Sequence, residues 1–193
     1  MRRPLPLIVG GVGLGLAVLA LGGGPAPAPA AAGPAASPEA ERGQYLVRIM
    51  GCNDCHTPWV MGSKGPEPDM TRQLSGHPES LLMPPAPALG QGPWAWTAAV
   101  TNTAFAGPWG VSFSANLTPD AETGIGKWTD ATFIQAIRSG RHEGQGRPIL
   151  PPMPWPQYLN ATDQDLRAVF AYLRTIPAIK NRVPQPIDPP ESQ

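Results

Sequence analysis

Apolar residues recur at helical spacing in three stretches of this chain, and in a fourth, near the start, they run almost unbroken. The unbroken run extends from Leu5 to Leu21, comes after Arg2 and Arg3, and meets no charge until Glu39. The first periodic stretch opens at Ser37-Pro38, a serine N-cap with proline at the first helical position. It predicts a helix from Glu39 to about Met50, with Glu39 and Glu41 favouring its N-terminal dipole and Tyr45, Leu46 and Ile49 on one face. The second opens at Thr129-Asp130, carries Phe133, Ile134 and Ile137, and closes at Gly140. The third opens at Thr162, with Asp165 three residues on as a capping-box variant. There Leu166, Val169, Phe170 and Leu173 recur at i, i+3, i+4, i+7, and Pro177 stops the helix. Gly43 costs about 1 kcal/mol against alanine inside a helix, which makes sense if another helix crosses closely. Phe170 or Tyr172 of the third helix is the expected partner.

Between these stretches, residues 57–128 show no sustained period. They hold Trp59, Trp94, Trp96, Trp109 and Trp128 among many prolines and glycines. Tryptophans bury large areas, so this is expected to be a long ordered loop that packs, with room for a short hairpin or helical turn whose position the sequence does not give. Composition agrees: 27 prolines and 22 glycines in 193 residues are well above ordinary usage. Residues 25–37 alternate Pro and Ala and predict an extended spacer with no core of its own. The expected organisation is residues 1–24 as signal peptide or membrane anchor, 25–37 as linker, 38–185 as the folded domain and 186–193 as a tail.

Formal charge is zero, and without Arg2 and Arg3 it leaves 12 basic against 14 acidic side chains. No basic stripe exists, which excludes a nucleic-acid partner. Basic residues ahead of an apolar run direct the chain beyond it across a membrane. The run approaches the roughly 20 residues that span a bilayer, yet its glycines weaken it, and small-x-small sites such as Ala28-Pro29-Ala30 lie just beyond it. Cleaved leader and retained anchor both stand.

The only two cysteines stand in Cys52-Asn53-Asp54-Cys55-His56. C-x-x-C-H is the attachment signature of c-type haem. Each thiol adds across one porphyrin vinyl group, and the next residue lies under the iron as an axial imidazole. A zinc site would need about four Cys/His ligands, and His77 and His142 lack the spacing. A redox dithiol would need a βαβ setting that is absent. The cofactor expected is therefore one covalent haem c on Cys52 and Cys55, with iron bound by His56. For the other axial position the candidates are Met61, Met70, Met83, Met153, His77 and His142, Met50 being too close to the attachment motif. Met153 leads, because Pro151, Pro152, Pro154 and Pro156 make a stiff loop that presents one thioether. Met83 in Leu82-Met83-Pro84-Pro85 is the runner-up, ahead of the two histidines.

The haem motif, Asn116-Leu117-Thr118-Pro119-Asp120, Thr123 to Trp128, the Phe133 to Gly140 segment and Pro152-Met153-Pro154 together resemble bacterial monohaem cytochromes c. They are also similar to single-haem domains of the cytochrome subunits of membrane-bound alcohol and sugar-acid dehydrogenases. The resemblance covers roughly 37–58 and 112–183. It implies an all-α, class I-like cytochrome c domain with a long irregular insertion, and iron ligation by His56 and Met153. It also offers Pro66 as hydrogen-bond acceptor for the His56 ring. Two features depart from those relatives: one C-x-x-C-H rather than three, and 97 residues between His56 and Met153.

The implied role is an electron carrier, not an enzyme, in the periplasm or at the outer face of the inner membrane. It would pass single electrons between redox proteins: a dehydrogenase or quinol-oxidising complex as donor, an oxidase or another cytochrome as acceptor. Arg147 or Arg138 is expected at a haem propionate. The alternatives are a haem enzyme such as a peroxidase, which needs a displaceable sixth ligand and a distal histidine, and a sensor or structural subunit.

Overall fold

A computed structural model of the chain describes residues 37–86 and 92–189. The expected leader, all of the spacer before Ser37 and residues 190–193 of the tail lie outside them. Helix α1, Pro38–Ile49, begins where the cap signal placed it: the Ser37 hydroxyl accepts from the Ala40 N–H at 3.2 Å. Helix α4, Asp163–Leu173, begins likewise, with the Thr162 hydroxyl accepting from the Asp165 N–H at 3.1 Å. In α3, Asp130–Ser139, Thr129 caps the first turn and Gly140 ends it at φ 64°, ψ 30°, the left-handed conformation that glycine adopts without penalty.

Helices α1 and α4 cross at Gly43. A Cβ on Gly43 would strike the Ala168 carbonyl and lie 2.8 Å from Cβ of Tyr172. This close approach decides which face of α1 turns inward. Ala40, Gly43, Leu46 and Val47 are buried, whereas Tyr45 and Ile49 are 53% and 60% exposed. The stripe expected from hydrophobicity alone is therefore corrected: small residues face the crossing, and two large apolar ones stay outside. Of the two expected partners for Gly43, Tyr172 meets it. Phe170 stacks on Phe133 of α3 instead, with ring centroids 5.3 Å apart. Leu46, Val47, Leu74, Ile137, Leu166, Val169 and Leu173 complete the core around that pair.

The expectation of an all-α domain with an irregular insertion is corrected as well. Residues 57–128 contain two small antiparallel sheets. Strands β1, Trp59–Gly62, and β2, Gly65–Pro68, pair as a hairpin, while β3, Thr97–Ala98, β4, Ala104–Gly107, and β5, Gly110–Phe113, form a sheet in the order β3-β4-β5. In the second hairpin Phe105 stands opposite Ser112 and Ala106 opposite Val111. Its sheet has its own small core of Ala104, Ala106, Val111 and Phe113. The tryptophans of this region are not uniformly packed: Trp59, Trp109 and Trp128 are partly buried, but Trp94 is 80% exposed.

After α4 the chain turns back over the insertion. Asn181, buried, accepts from the Glu79 N–H at 2.9 Å and donates to the Ser75 and His77 carbonyls at 2.7 and 2.9 Å. Ile187 then bridges to Val111. Among the described residues, no helix is long and apolar enough to cross a membrane.

Candidate functional site

Helix α2, Cys52–His56, is one turn long and starts from Gly51 at φ 69°, ψ 24°. That turn projects both cysteines and the histidine from one short rigid segment. Cys52 and Cys55 are free thiols. Burial pushes the Cys52 thiol up to about 12, with the Asp54 carboxylate adding to it, and burial raises Cys55 too. The segment is fastened on several sides. The Asp54 carbonyl accepts from Trp59 Nε1 at 3.0 Å and Asn102 Nδ2 at 2.8 Å. The Thr57 hydroxyl accepts from the Leu74 N–H at 2.9 Å, and the His56 carbonyl accepts from the Gly76 N–H at 2.8 Å.

The ring of His56 is buried, and its Nδ1 lies 2.8 Å from the carbonyl of Ala115. A carbonyl only accepts, so Nδ1 carries the proton and Nε2 keeps its lone pair. Burial lowers the imidazole's affinity for a second proton, against the contrary pull of the Ala115 carbonyl. The acceptor is therefore Ala115 and not Pro66, which sits in β2 opposite Met61.

Cys52, Cys55 and His56 line a cavity of about 370 Å³, within the range of cofactor sites. Its remaining wall is mostly apolar. Helices α3 and α4 supply Phe133, Ile137, Leu166, Val169 and Leu173; the β4–β5 hairpin supplies Phe105, Ser112 and Phe113; and Ile149–Pro154, with Met153, completes it. Tyr158 and Met50 also line it, and the Tyr158 hydroxyl donates to the Met50 carbonyl at 2.7 Å.

The candidates for the second axial position separate. Met153 and His142 both line the cavity. His77 does not; it is fully buried, donating from Nε2 to the Leu81 carbonyl at 3.0 Å and accepting at Nδ1 from Thr103 Oγ1 at 3.0 Å. Met83 packs against the β3-β4-β5 sheet, and Met61 and Met70 are exposed. His142 stands edge-on to Trp128, centroids 5.3 Å apart, and burial, then the Arg147 charge, lowers its basicity.

The two arginines separate as well. Arg138 spans Leu159 O at 2.9 Å, Ala161 O at 2.7 Å and the Asp163 carboxylate at 2.7 Å, and so acts as a clamp between α3 and the start of α4. Unlike Arg147, it does not line the cavity. Arg147 lines the cavity, is partly desolvated, and has no ion-pair partner among the described residues.

Sequence reasoning missed Ala115, Ser112, Phe105, Phe113 and Tyr158. The short β-forming run Gly110-Val111-Ser112-Phe113 was the one available signal for the hairpin; a backbone acceptor such as Ala115 leaves none.

The fit to haem is good on this geometry. Two thiols, an imidazole with one free nitrogen, a thioether and an uncompensated guanidinium surround an apolar space. These features define a protein that holds a redox-active porphyrin by covalent thioether links. The chain belongs to the cytochrome c family, whose model matches residues 40–177. Haem c is thus its covalently bound cofactor, and electron transport its class of activity. It is 28% identical to the cytochrome c subunit of alcohol dehydrogenase (quinone) from Gluconobacter oxydans over 68% of this chain and 20% of that one. It is 30% identical to the gluconate 2-dehydrogenase cytochrome c subunit of Pantoea cypripedii over 68% and 22%. It is 29% identical to the fructose dehydrogenase cytochrome subunit of Gluconobacter japonicus over 79% and 25%. The chain thus spans about a fifth to a quarter of the length of these relatives.

Proposed function

We propose that this chain is a single-electron carrier in which Cys52 and Cys55 hold one haem and His56 and Met153 are its axial ligands. The observation that carries this reading is the tautomer of His56. Its Nδ1–H is committed to Ala115, which leaves Nε2 as a donor in a cavity walled by both thiols and by the Met153 loop. Bound haem supplies a one-electron ferrous–ferric couple whose potential is raised by a thioether ligand. The chain's own residues do the rest. The apolar wall excludes water and disfavours the extra charge of the oxidised state. Ala115 fixes the orientation of the imidazole. Arg147, partly desolvated on the cavity wall, would hold a propionate. Electrons enter and leave near Cys52 and Cys55 through a small, transient docking contact, as redox encounters use.

The finer assignments of location and partner belong to this reading. Residues 1–24 act as export leader or membrane anchor and 25–37 as spacer, which places the domain in the periplasm or on the outer face of the inner membrane. The donor is a dehydrogenase, as the names of the relatives suggest, or a quinol-oxidising complex, and the acceptor an oxidase or another cytochrome.

Optical spectroscopy of the purified holoprotein tests it. The oxidised form should carry the weak long-wavelength sulfur–iron band, and Met153→Ala should abolish it. Persistence of the band in that variant removes Met153 as ligand. The second reading, a haem enzyme with a displaceable sixth ligand, is favoured by one observation: His142 lines the cavity beside Arg147. Rapid carbon monoxide binding or peroxide turnover by the intact protein would support it and count against the carrier.

A further inference from the structure

The Met153 loop has an unusual fastening problem. Proline at 151, 152, 154 and 156 removes four backbone donors. Within residues 150–154 the Met153 N–H turns back on the Leu150 carbonyl at 3.3 Å. A loop so short of donors must be held through its carbonyls, by donors on a neighbouring element. The Pro154 carbonyl accepts locally, from the Gln157 N–H at 2.9 Å. Among the described residues one hydrogen bond ties the carbonyls of 150–154 to an element distant along the chain, Ser112 Oγ on β5 donating to the Pro151 carbonyl at 2.6 Å.

The direction of that bond is determined on both sides. Trp109 Nε1 lies 3.3 Å from Ser112 Oγ. An indole N–H only donates and a carbonyl only accepts, so the serine oxygen takes the indole proton and its own proton goes to Pro151. Ser112 is buried and lines the same cavity as Met153. The Trp109 ring is itself seated, since a Cβ on Gly107 would lie 2.6 Å from it.

We propose that Ser112 is a positioning residue for Met153, and that the β4–β5 hairpin is a strut holding the sixth-ligand loop against the cavity. The proposal rests on the reading of Met153 as axial ligand. It accounts for part of the long stretch between His56 and Met153: inserted chain takes over the fastening that the proline-rich loop cannot do for itself. The consequence lies in how easily an external ligand displaces the thioether, not in whether haem is attached.

The test uses holoprotein variants titrated with imidazole, with the sulfur–iron band as readout and thermal melting in parallel. Ser112→Ala should keep the band at neutral pH while its apparent affinity for imidazole rises roughly three- to tenfold, the equilibrium weight of one net hydrogen bond. Ser112→Thr should restore the wild-type affinity and Ser112→Val should not. Those two differ only in the hydroxyl and carry the comparison alone if Ser112→Ala does not accumulate with haem. Thr101→Val, which removes the hydroxyl pair of Thr101 and Thr103 elsewhere in the insertion, should leave imidazole affinity unchanged whatever it does to melting. Equal imidazole affinity in Ser112→Ala and wild type, or in Ser112→Thr and Ser112→Val, overturns the strut. If that happens while Met153→Ala has lost its band, the ligand assignment stands and only the positioning role falls.

Discussion

His56 Nδ1 donates to the carbonyl of Ala115 across 2.8 Å, joining residues 59 apart in the chain. Gly76 lies beside that bond: its N–H donates to the His56 carbonyl, and a Cβ on it would strike the Ser114 carbonyl and come within 2.6 Å of the Ala115 carbonyl carbon. Gly76 also has φ 77°, where a side chain costs about 1–2 kcal/mol. Gly76→Ala should therefore destabilise the domain by about 2 kcal/mol or more, by thermal or urea unfolding. Because it pushes the acceptor away from His56, it should also make the imidazole less basic and raise the reduction potential. An unchanged potential in a folded variant would show that Ala115 does not set the ligand's strength.

Gly43→Ala tests the helix crossing, where two effects have opposite signs. Helix propensity favours alanine by about 1 kcal/mol. Against it, the new methyl meets the Ala168 carbonyl and the Tyr172 Cβ, and overpacking costs about 1–3 kcal/mol or more when the obstacle is backbone. The clash should win, giving a net loss of about 2 kcal/mol in denaturant unfolding. A gain in stability would mean that α1 and α4 sit further apart than this crossing requires.

The three long helices are legible in the sequence because their signals are local. Ser37, Thr129 and Thr162 each cap an amide within three residues, and Gly140 ends α3 by a conformation few other residues accept. The attachment motif is legible for the same reason. The features that escape a reading of the sequence involve partners distant along the chain. Tyr45 and Ile49 look like a buried stripe until Gly43 meets Ala168, a contact made 125 residues downstream. The strands are two to four residues long, and β5 is buried throughout, so no alternation of polar and apolar positions marks it. Pro66 looks like the acceptor for His56 by analogy of order along the chain, but it is spent in a hairpin with Met61. Ala115 acts through a carbonyl that every residue carries. Site chemistry carried by a local motif can be read in advance; a backbone acceptor such as Ala115, or a side chain such as Ser112 or Tyr158 whose partner is distant along the chain, depends on the fold.

Arg138 and Arg147 should separate stability from redox tuning. Arg138→Ala strips the Leu159 and Ala161 carbonyls and the Asp163 carboxylate of their donor. Charged hydrogen bonds of this kind contribute about 1.5–3 kcal/mol, and lysine should not restore them, since one ammonium lacks the planar fork that spans all three. The potential should hardly move. Arg147→Gln should do the reverse. Removing a partly desolvated positive charge from the cavity wall favours the oxidised iron and lowers the potential by on the order of 20–60 mV, given that 59 mV is tenfold for one electron. Potentiometric titration and thermal melts on both variants would check the pair. Equal potentials for Arg147→Gln and wild type would remove Arg147 from the propionate.

Tyr158 ties the chain after the Met153 loop to the C-terminal end of α1, two residues before the attachment helix, through its hydroxyl on the Met50 carbonyl. Burial, then negative charge at Cys52, Cys55 and Asp54, raises its phenol well above the ordinary value. Once both sulfurs are thioethers, burial and Asp54 remain, and the direction is the same. With the folded value above the unfolded one, the bond's stabilisation is fully present below pH ~10, the unfolded value. Above it the unfolded chain releases the phenolic proton while the folded chain keeps it, so stability falls as pH rises. Tyr158→Phe should cost about 1 kcal/mol at neutral pH and show a shallower alkaline decline, the two curves converging above pH ~10. Urea unfolding of holoprotein from pH 7 to 11 measures this. Parallel curves for the two proteins would mean that the phenol titrates alike in both states, and that the Met50 carbonyl does not hold its proton.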